Sequence, residues 1–383
     1  MAVQKINIEQ FLTMAEEYPV LDVRSPGEFF HAHIPAAFSL PLFTDEERKI
    51  VGTAYKQNSR ETAIKIGLDF FGVKMRKMIE EAGKIMKHPK QANGLAQHEN
   101  AAFEQEVKAG KGTVLVHCWR GGMRSAGVAW LLDLYGFKVY TLAGGYKAYR
   151  RWAREQFEKS YNLTIVGGYT GSGKTLVLHE LQKAGQNVID LEGMGNHKGS
   201  AFGAFGQDPQ PSQEMFENIL ANTLYLLTHK GIDQLNITPS NDSYDLPVIF
   251  VEDESQRIGN LNIPTGFWNA MRKSPIGFLE IPFEERLEYL TEEYGKIKKE
   301  ELVNAVIRIQ KRLGGLETKN AIGYLLEDNH KECFRILLAY YDKWYNKGLV
   351  NRENLTVLLH KIPCKGIDVK LITQTLLNEK AFA

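Results

Sequence analysis

The stretch GYTGSGKT, from Gly168 to Thr175, constrains the fold of this chain more than any other feature. It fits the pattern G-x-x-x-x-G-K-[S/T]. An apolar run, LTIVGG, leads into it, and a helical run, TLVLHELQKAG, follows. A strand that passes through a glycine-rich turn into a helix is the context in which this pattern binds phosphate groups. The sequence therefore predicts a parallel α/β domain built around this turn.

The chemistry of this turn is that of an anion site. Its glycines let successive backbone N–H groups face one anion, and the helix start adds partial positive charge. Lys174 has the reach to contact a β- or γ-type phosphate, and Thr175 suits a Mg²⁺ ion. ATP, GTP and a prenyl diphosphate all carry a diphosphate, so the pattern does not choose the reaction. The predicted phosphate ligands are Gly168, Gly171, Ser172, Gly173, Lys174 and Thr175.

An acidic cluster ends the later strand PVIFVEDES, where a carboxylate on the metal side of the phosphates is expected. Glu252 and Asp253 are the candidates for that role, together with Glu254. Asp190 and Glu192, at the end of the strand NVID, are additional candidates. The sequence leaves open which of these carboxylates points inward.

Strands alternate with helices on both sides of a basic connector, KAYRRWAREQFEK. VLDV, TVLVHC and KVYTL are predicted strands ahead of it, and four more follow it. At 383 residues the chain exceeds one ordinary core. We predict an α/β protein in three parts: a parallel-sheet domain over 1–157 with a long helical insertion at about 45–110, a phosphate-loop α/β domain over 158–286, and a helical region over 287–383.

The composition limits the cellular setting and the kinds of partner. The formal net charge of +1 provides no global basic field, so a nucleic-acid partner would need a local patch. The three cysteines are too scattered for a disulfide framework or a metal site, which suits a reducing cytoplasm. The N-terminus lacks the pattern of a signal peptide, and no apolar run approaches the ~20 residues of a membrane span. We therefore expect a cytoplasmic protein without membrane contact.

Cys118 lies in the stretch HCWRGGMRS, between a predicted buried strand and a helix. The short loop predicts that the backbone N–H groups of residues 119–124 point towards the sulfur, with a helix N-terminus behind them. Arg120 and Arg124 add positive charge. Such surroundings lower a thiol pKa and favour a nucleophilic thiolate, or hold an anion. The alternative of a buried structural cysteine fits Cys333 and Cys364, which lack this setting.

The cysteine loop alone leaves the reaction open, because it also satisfies H-C-x-x-G-x-x-R-S, the pattern of tyrosine and dual-specificity phosphatases. Upstream, LDVRSPGEFFHAHIPAAFSLPL resembles the rhodanese-like signature, and TLAGGYKAY resembles its C-terminal piece. In that signature, Asp22 and Arg24 would tie loops together. Ala36 stands where the family commonly has Gly, which leaves the conformation of that turn open. The resemblance implies a rhodanese-like domain, whose thiol would meet sulfur or selenium rather than phosphorus.

The ordered combination of motifs resembles the tRNA 2-selenouridine synthase family over nearly the whole chain. Besides the two loops, it includes the helical insertion, D-L-E-G with N-H-K-G-S-A-F-G, and V-E-D-E-S-x-R-I-G. The resemblance implies a cytoplasmic enzyme that replaces sulfur by selenium in the wobble 2-thiouridine of tRNAs for Lys, Glu and Gln. It implies selenophosphate as the selenium donor, supplied by a selenophosphate-producing enzyme, and geranyl diphosphate as an alkylating partner. Cys118 would carry the selenium as an S-selanylcysteine.

No single stretch identifies a tRNA-binding surface. Clusters of arginine and lysine are candidates for phosphate contacts, although a solvated helix face explains any one of them equally well. The candidates are Arg150, Arg151, Arg257, Arg272 and Lys273. Further options are Arg154, Lys296, Lys298, Lys299, Arg308, Lys311 and Arg312.

Two loops support narrower hypotheses. The glycine-rich stretch 196–211 contains Phe202 and Phe205, which would line a pocket for an apolar tail beside the diphosphate, or else belong to a flexible surface loop. The spacing from Cys118 to Arg124 is one residue longer than the Cys-x-x-x-x-Arg spacing often seen in plain rhodaneses. A wider loop would suit a tetrahedral oxyanion such as selenophosphate better than a lone sulfane sulfur.

Two other functional classes are compatible with these residues. One is a phosphatase or sulfurtransferase with a regulatory nucleotide domain, which would turn over a phosphate ester or thiosulfate without tRNA. The other is a non-enzymatic nucleotide-binding or scaffold protein, for which Cys118 would be dispensable.

Overall fold

The computed structural model describes residues 3–87, 112–234, 246–379 and 382. The chain forms two compact units, Met1–Glu155 and Gln156–Ala383. The division falls in the last turn of a helix, Gly145–Gln156, whereas the sequence places it after residue 157. Among the described residues, no helix is both long enough and apolar enough to span a membrane.

The first unit is built on a parallel sheet with the strand order β1-β5-β4-β2-β3. Every residue of the central strand, β4, is buried. Strands that are covered on both faces appear in sequence as continuous apolar runs, and TVLVH is such a run. The strands are β1 (Gln4–Ile6), β2 (Val20–Asp22), β3 (Phe38–Ser39), β4 (Thr113–His117) and β5 (Lys138–Leu142).

Helices cover this sheet and form the described part of the predicted insertion. They are α1 (Ile8–Ala15), α2 (Pro26–His31), α3 (Asp45–Gln57), α4 (Arg60–Gly72), α5 (Met75–Lys87), α6 (Met123–Tyr135) and α7 (Gly145–Gln156). The insertion begins with α3, α4 and α5, and α5 buries Met78, Ala82 and Met86 at helical spacing. Residues 88–111, the rest of the predicted insertion, lie outside the described residues.

The second unit contains another parallel sheet, in the order β12-β11-β6-β8-β7, and a short antiparallel pair, β9 with β10. Its strands are β6 (Asn162–Gly168), β7 (Asn187–Ile189), β8 (Val248–Glu252), β9 (Arg257–Ile258), β10 (Leu261–Asn262), β11 (Ile276–Glu280) and β12 (Leu359–Pro363). β6 is central, and it pairs directly with β8 so that Val166 is opposite Glu252. The carboxyl ends of both strands therefore meet at one edge of the sheet.

The helices of the second unit lie on its sheet and form a bundle towards the C-terminus. They are α8 (Lys174–Lys183), α9 (Leu191–Gly195), α10 (Gln213–Gln234), α11 (Thr265–Arg272), α12 (Phe283–Tyr294), α13 (Lys299–Leu313), α14 (Gly315–Leu326), α15 (His330–Val350), α16 (Leu355–Leu358) and α17 (Val369–Asn378). The region predicted to be helical, 287–383, also contains the edge strand β12. Only Ile362 of β12 is buried, so the strand leaves no apolar run in the sequence.

Two parallel sheets with covering helices confirm the predicted α/β class. In the first unit, Asp22 and Arg24 play the expected tying role. The Arg24 guanidinium forms hydrogen bonds to the Asp22 carboxylate and, at 2.7 Å, to the Ala32 carbonyl, and all three residues are buried. The buried pair thus fixes the segment after β2 against the segment after α2.

The turn at Ala36 is a site of backbone strain. The Ala37 N–H donates to the Ile34 carbonyl at 3.0 Å, which closes a four-residue turn with Pro35 and Ala36 at its centre. Ala36 has φ +64°, in the left-handed region that glycine tolerates and other residues enter at a cost. The Gly expected at this position in the family signature would remove that strain.

We predict that Ala36→Gly stabilises the protein by about 0.5–1 kcal/mol, because the relief of strain exceeds the added flexibility of the unfolded chain. The free energy of unfolding in urea measures the change. Ala37→Gly is the matched control: Ala37 is buried and has no positive φ, so the same change should destabilise. Destabilisation by both variants would contradict the role assigned to the Ala36 conformation.

Candidate functional site

The phosphate loop between β6 and α8 has the backbone of an anion cradle. Gly168, Gly171 and Gly173 have φ of +149°, +78° and +74°, which other residues rarely adopt. A side chain on Gly171 would come within 3.1 Å of the Arg286 carbonyl oxygen. Both the conformation and the close approach of α12 therefore require glycine, and helix α8 begins directly after, at Lys174.

The side chains of the loop converge on the same cradle. The Lys174 ammonium donates to the Gly168 carbonyl at 3.0 Å, and the Thr175 hydroxyl donates to Glu192 Oε2 at 3.0 Å. Ser172 is 1% exposed, and its hydroxyl has no hydrogen-bond partner in the described residues. Three of the side chains that the sequence predicts as phosphate ligands thus lie together at this turn.

Two carboxylates at the end of β8 approach the loop. Glu252 accepts a hydrogen bond from the Glu192 N–H at 2.8 Å, and its second oxygen is buried with no partner among the described residues. Burial, with contributions from Asp190 and Glu192, raises the pKa of Glu252 well above its ordinary range. Burial, and then Glu192, also raise the pKa of Glu254. The fold thus concentrates acidic groups where a bound cation would relieve their repulsion.

Asp253 has a different role from the one predicted. One of its oxygens pairs with the Arg352 guanidinium, and the other accepts from the Tyr345 hydroxyl at 2.5 Å. Both oxygens are engaged by Arg352 and Tyr345, so Asp253 has no oxygen left for a metal at the loop. Glu192, an additional candidate in the sequence, is the carboxylate that contacts Thr175.

Residues of α12 and α15 hold the loop from outside, and sequence reasoning missed them. The Gly168 N–H donates to the Tyr345 hydroxyl oxygen at 3.1 Å. Arg286 donates to the Thr170 carbonyl at 3.0 Å and forms a two-point ion pair with Asp342, at 2.8 and 2.7 Å. No local sequence pattern predicts such contacts, because the partners lie far apart along the chain.

The two phenylalanines of the stretch 196–211 have separate environments. Phe202 is buried within the helical bundle, where its ring lies near Tyr294 and Phe334. Phe205 is half-buried, with its ring centroid 6.0 Å from that of Phe202. Phe202 therefore anchors this stretch to the bundle, and Phe205 is the one with surface left to offer a ligand. Gly199, with φ +66°, brings the same stretch beside Glu192 and Glu254.

The cysteine loop of the first unit follows the central strand β4. Cys118 is 3% exposed, and its Sγ lies 3.2 Å from Ser125 Oγ at the start of α6. Burial alone would raise the pKa of the thiol. Hydrogen bonds from the Ser125 hydroxyl and from the N–H groups of Ser125, Gly122 and Arg120 outweigh burial, and the pKa of Cys118 is lowered. This is the predicted environment of a nucleophilic thiolate.

The cysteine loop and the turn at Gly144 and Gly145 are in direct backbone contact. The Tyr146 N–H donates to the Cys118 carbonyl at 2.8 Å, and Lys147 N–H donates to the Trp119 carbonyl at 3.0 Å. Gly121 has φ +63°, and a side chain there would lie 2.6 Å from the Leu142 carbonyl oxygen. The cysteine loop therefore packs directly on the Gly-Gly turn that precedes α7.

Arg120 and Arg124, which the sequence predicts to add positive charge around the thiol, have different surroundings. The Arg124 guanidinium forms an ion pair with Glu28 at 2.7 Å, and Arg120 is exposed. The largest causes that lower the pKa of Cys118 are hydrogen bonds rather than these guanidinium charges. The ion pair of Arg124 therefore holds the loop against α2, and the exposed Arg120 is accessible to a ligand at the loop surface.

The other two thiols lack such an environment. Burial raises the pKa of Cys333 to about 12, and burial together with Glu280 raises that of Cys364. Cys118 is thus distinguished chemically from Cys333 and Cys364.

The predicted tRNA contacts occupy varied positions. Arg150 is 8% exposed, which contradicts a role at an open surface. Arg151 and Lys273 are exposed. Arg257 is exposed on the β9–β10 pair and donates to the Gly259 carbonyl at 2.9 Å. Arg272 donates to the Gly348 carbonyl near the end of α15, at 3.0 Å.

The fold and the two loops define the class of protein: a rhodanese-like domain joined to a phosphate-loop domain. The family model for the rhodanese-like domain matches residues 7–152, and that for the tRNA 2-selenouridine synthase AAA domain matches 161–362. The chain belongs to the tRNA 2-selenouridine synthase family.

Relatives of that name cover most of the chain. The tRNA 2-selenouridine synthase of Sulfurovum sp. is 32% identical over 360 residues, which cover 86% of this chain and 88% of the relative. That of Hydrogenovibrio crunogenus is 32% identical, with 88% and 90% covered. That of Bdellovibrio bacteriovorus is 30% identical, with 94% and 96% covered. The similarity therefore includes both units.

We predict that Ser125→Ala slows alkylation of Cys118 by iodoacetamide at neutral pH about tenfold, because the thiolate loses one hydrogen bond. The midpoint of the curve of alkylation rate against pH should move to higher pH. Ser39→Ala, at an exposed serine on β3, is the control and should react as the wild type does. An unchanged profile for Ser125→Ala would contradict the assigned role of this hydroxyl.

We predict a pH-dependent stability from Glu252. Its raised pKa means that folding favours the protonated carboxyl, a stabilisation present below the ordinary pKa of 4.5 and lost as pH rises through the folded pKa. Glu252→Gln places a neutral amide at this position, so the melting temperature of the variant should rise relative to that of the wild type as pH rises. Glu284→Gln should show the opposite trend, because Arg335 lowers the pKa of exposed Glu284. Parallel curves for Glu252→Gln and wild type would contradict this account.

Proposed function

We propose that this protein converts the wobble 2-thiouridine of tRNA to 2-selenouridine in two steps, by geranylation of the sulfur and then by transfer of selenium from selenophosphate. The observation that carries the proposal is the presence, in one chain of this family, of a thiol with a lowered pKa and a separate phosphate-loop cradle. Two anion sites suit two half-reactions with two anionic co-substrates.

The phosphate loop is the proposed geranylation site. The thiouridine sulfur attacks C1 of geranyl diphosphate, the C–O bond breaks, and N3 of the base loses its proton. The departing diphosphate gains charge, which Lys174 and the N–H groups of Gly168 to Thr175 would stabilise. Thr175 and Glu192, which already share a hydrogen bond, would hold a Mg²⁺ ion that neutralises further charge. Phe205 has the half-buried apolar surface to contact the geranyl chain.

The selenium step follows from the electron count. Selenium is at the selenide level in selenophosphate and remains so in 2-selenouridine, so the net exchange is redox-neutral. Geranylation makes the sulfur a leaving group. In the net reaction a C2–Se bond forms, the C2–S bond breaks, geranyl thiolate departs, and water takes up the phosphoryl group of the donor as phosphate.

Cys118 is the proposed centre of this second step. An S-selanyl form of Cys118 contains an S–Se bond, and forming it from the thiolate and selenophosphate with release of phosphate removes two electrons. Loading therefore needs an electron acceptor such as a disulfide, and delivery needs a thiol that returns the electrons. Arg120, which is exposed on the loop, would contact the anionic donor.

The chemistry also defines the partners and the setting. We propose tRNAs for Lys, Glu and Gln as substrates and a selenophosphate-producing enzyme as the supplier of the donor. A reducing cytoplasm would keep the Cys118 thiol available.

The decisive experiment is mass spectrometry of wobble nucleosides after incubation of the full chain with 2-thiouridine tRNA, geranyl diphosphate and selenophosphate. We expect S-geranyl-2-thiouridine as an intermediate and 2-selenouridine as the product. Recovery of unchanged 2-thiouridine alone would remove the proposal. Turnover of a phosphate ester or thiosulfate without tRNA would favour a phosphatase or sulfurtransferase instead.

We predict that two variants separate the steps. Lys174→Ala should lose geranylation by about 100-fold or more, as happens when a charge that stabilises the transition state is removed, but convert pre-geranylated tRNA normally. Cys118→Ala should accumulate geranylated tRNA without selenium. Lys183→Ala, at an exposed lysine on the same helix as Lys174, is the control. Equal loss of both steps in both variants would contradict two separate sites.

A further inference from the structure

The outer face of α15 carries a stripe of aromatic and cationic side chains. Tyr340, Lys343, Trp344 and Lys347 are spaced i, i+3, i+4 and i+7, which places them on one side of the helix. Trp344 is 43% exposed, and both lysines are exposed. The Tyr340 and Trp344 ring centroids lie 6.3 Å apart. Trp344 therefore stands among exposed cationic side chains.

Two cations of this face lie beside its aromatic side chains. The Lys347 ammonium lies 5.2 Å from the Trp344 ring centroid. Arg312, at the end of α13, lies near the Tyr340 hydroxyl, and its positive charge opposes the rise in the pKa of that hydroxyl. Within the described residues, no ion pair joins Arg312, Lys343 or Lys347 to a carboxylate. The neighbouring acid, Asp342, points to Arg286.

This face adjoins the phosphate loop through the same helix. Tyr345, next to Trp344 in the chain, contacts the Gly168 N–H, and the Tyr341 hydroxyl accepts from the Ala201 N–H at 3.1 Å. One side of α15 therefore supports the loop, and the adjacent side carries the stripe. A helix with its side chains is only about 10–12 Å across, so the two features lie within a helix width of one another.

We propose that this face, which we call the α15 platform (Tyr340, Lys343, Trp344, Lys347 and Arg312), binds the single-stranded loop of the RNA substrate, with a base stacked on Trp344. Exposed aromatic rings that stack bases and cations that contact phosphates are the two components of single-stranded nucleic-acid sites. The inference rests on the proposed function for the identity of the RNA as tRNA. It adds the surface, which the sequence does not identify.

The test measures binding of a fluorescent anticodon stem-loop RNA containing 2-thiouridine to the full chain. Trp344→Ala should weaken binding about tenfold or more, as expected when the ring beneath a stacked base is removed. Trp344→Phe should retain most of the affinity, because it keeps an aromatic face. Trp130→Ala, at a 52% exposed tryptophan on α6, is the matched control and should bind as wild type.

The lysines provide an independent readout. In Lys343→Gln and Lys347→Gln, the slope of log affinity against log salt should fall by somewhat less than one for each phosphate that the protein no longer neutralises. A merely structural role of α15 would change affinity without changing this slope. Thermal melts of each variant verify that the fold is retained.

The outcomes distinguish this inference from the proposed function. If the wild type forms 2-selenouridine and Trp344→Ala binds the stem-loop with unchanged affinity, the platform is wrong and the function stands. If the wild type neither binds nor modifies the RNA, both fall. Weaker binding by Trp344→Ala, recovery by Trp344→Phe and a reduced salt slope for the lysine variants support the platform.

Discussion

Arg352 and Asp253 form an ion pair buried between the phosphate-loop sheet and the helical region of the second unit. The second oxygen of Asp253 accepts from Tyr345, and Tyr345 in turn accepts from the Gly168 N–H, 177 positions away in the chain. Removal of one partner would leave a buried charge, at a cost of about 3–5 kcal/mol. The conformation of the phosphate loop thus depends on residues near the C-terminus, and the helical region belongs to the site.

The two loops reach an anion-binding geometry through the same backbone device. Each follows the carboxyl end of a central strand of a parallel sheet and has at least one glycine with positive φ where N–H groups turn inward. They differ in what fills the cradle. In the first unit the sulfur of Cys118 occupies it, so oriented hydrogen bonds lower the thiol pKa from within a buried site. Arg124 forms an ion pair with Glu28, which ties the loop to α2.

The features that sequence predicted are those encoded locally. The strand before Gly168, the helix after it and the apolar run of β4 each specify their own conformation, so the parallel α/β class followed directly. The strand β12 was not predicted, because an edge strand with one buried residue shows no apolar periodicity in the sequence. The sequence also did not predict that Glu192 rather than Asp253 contacts Thr175 of the loop. Asp253 is held by Arg352 and Tyr345, which lie about 100 positions away in the chain.

Helix α15 has a further consequence for how two substrates would meet. Attack of a base sulfur on a carbon requires an approach of about 3–3.5 Å, which a mobile support would not hold. The exposed Arg257 lies on a strand pair of two residues each, whereas Trp344 and Tyr345 are consecutive residues of a 21-residue helix. A base stacked on Trp344 would be positioned by the element that also holds the phosphate loop through Tyr345. Sites on helices are more precise than sites on loops. This rigidity favours α15 over the Arg257 pair as the surface that presents the wobble base.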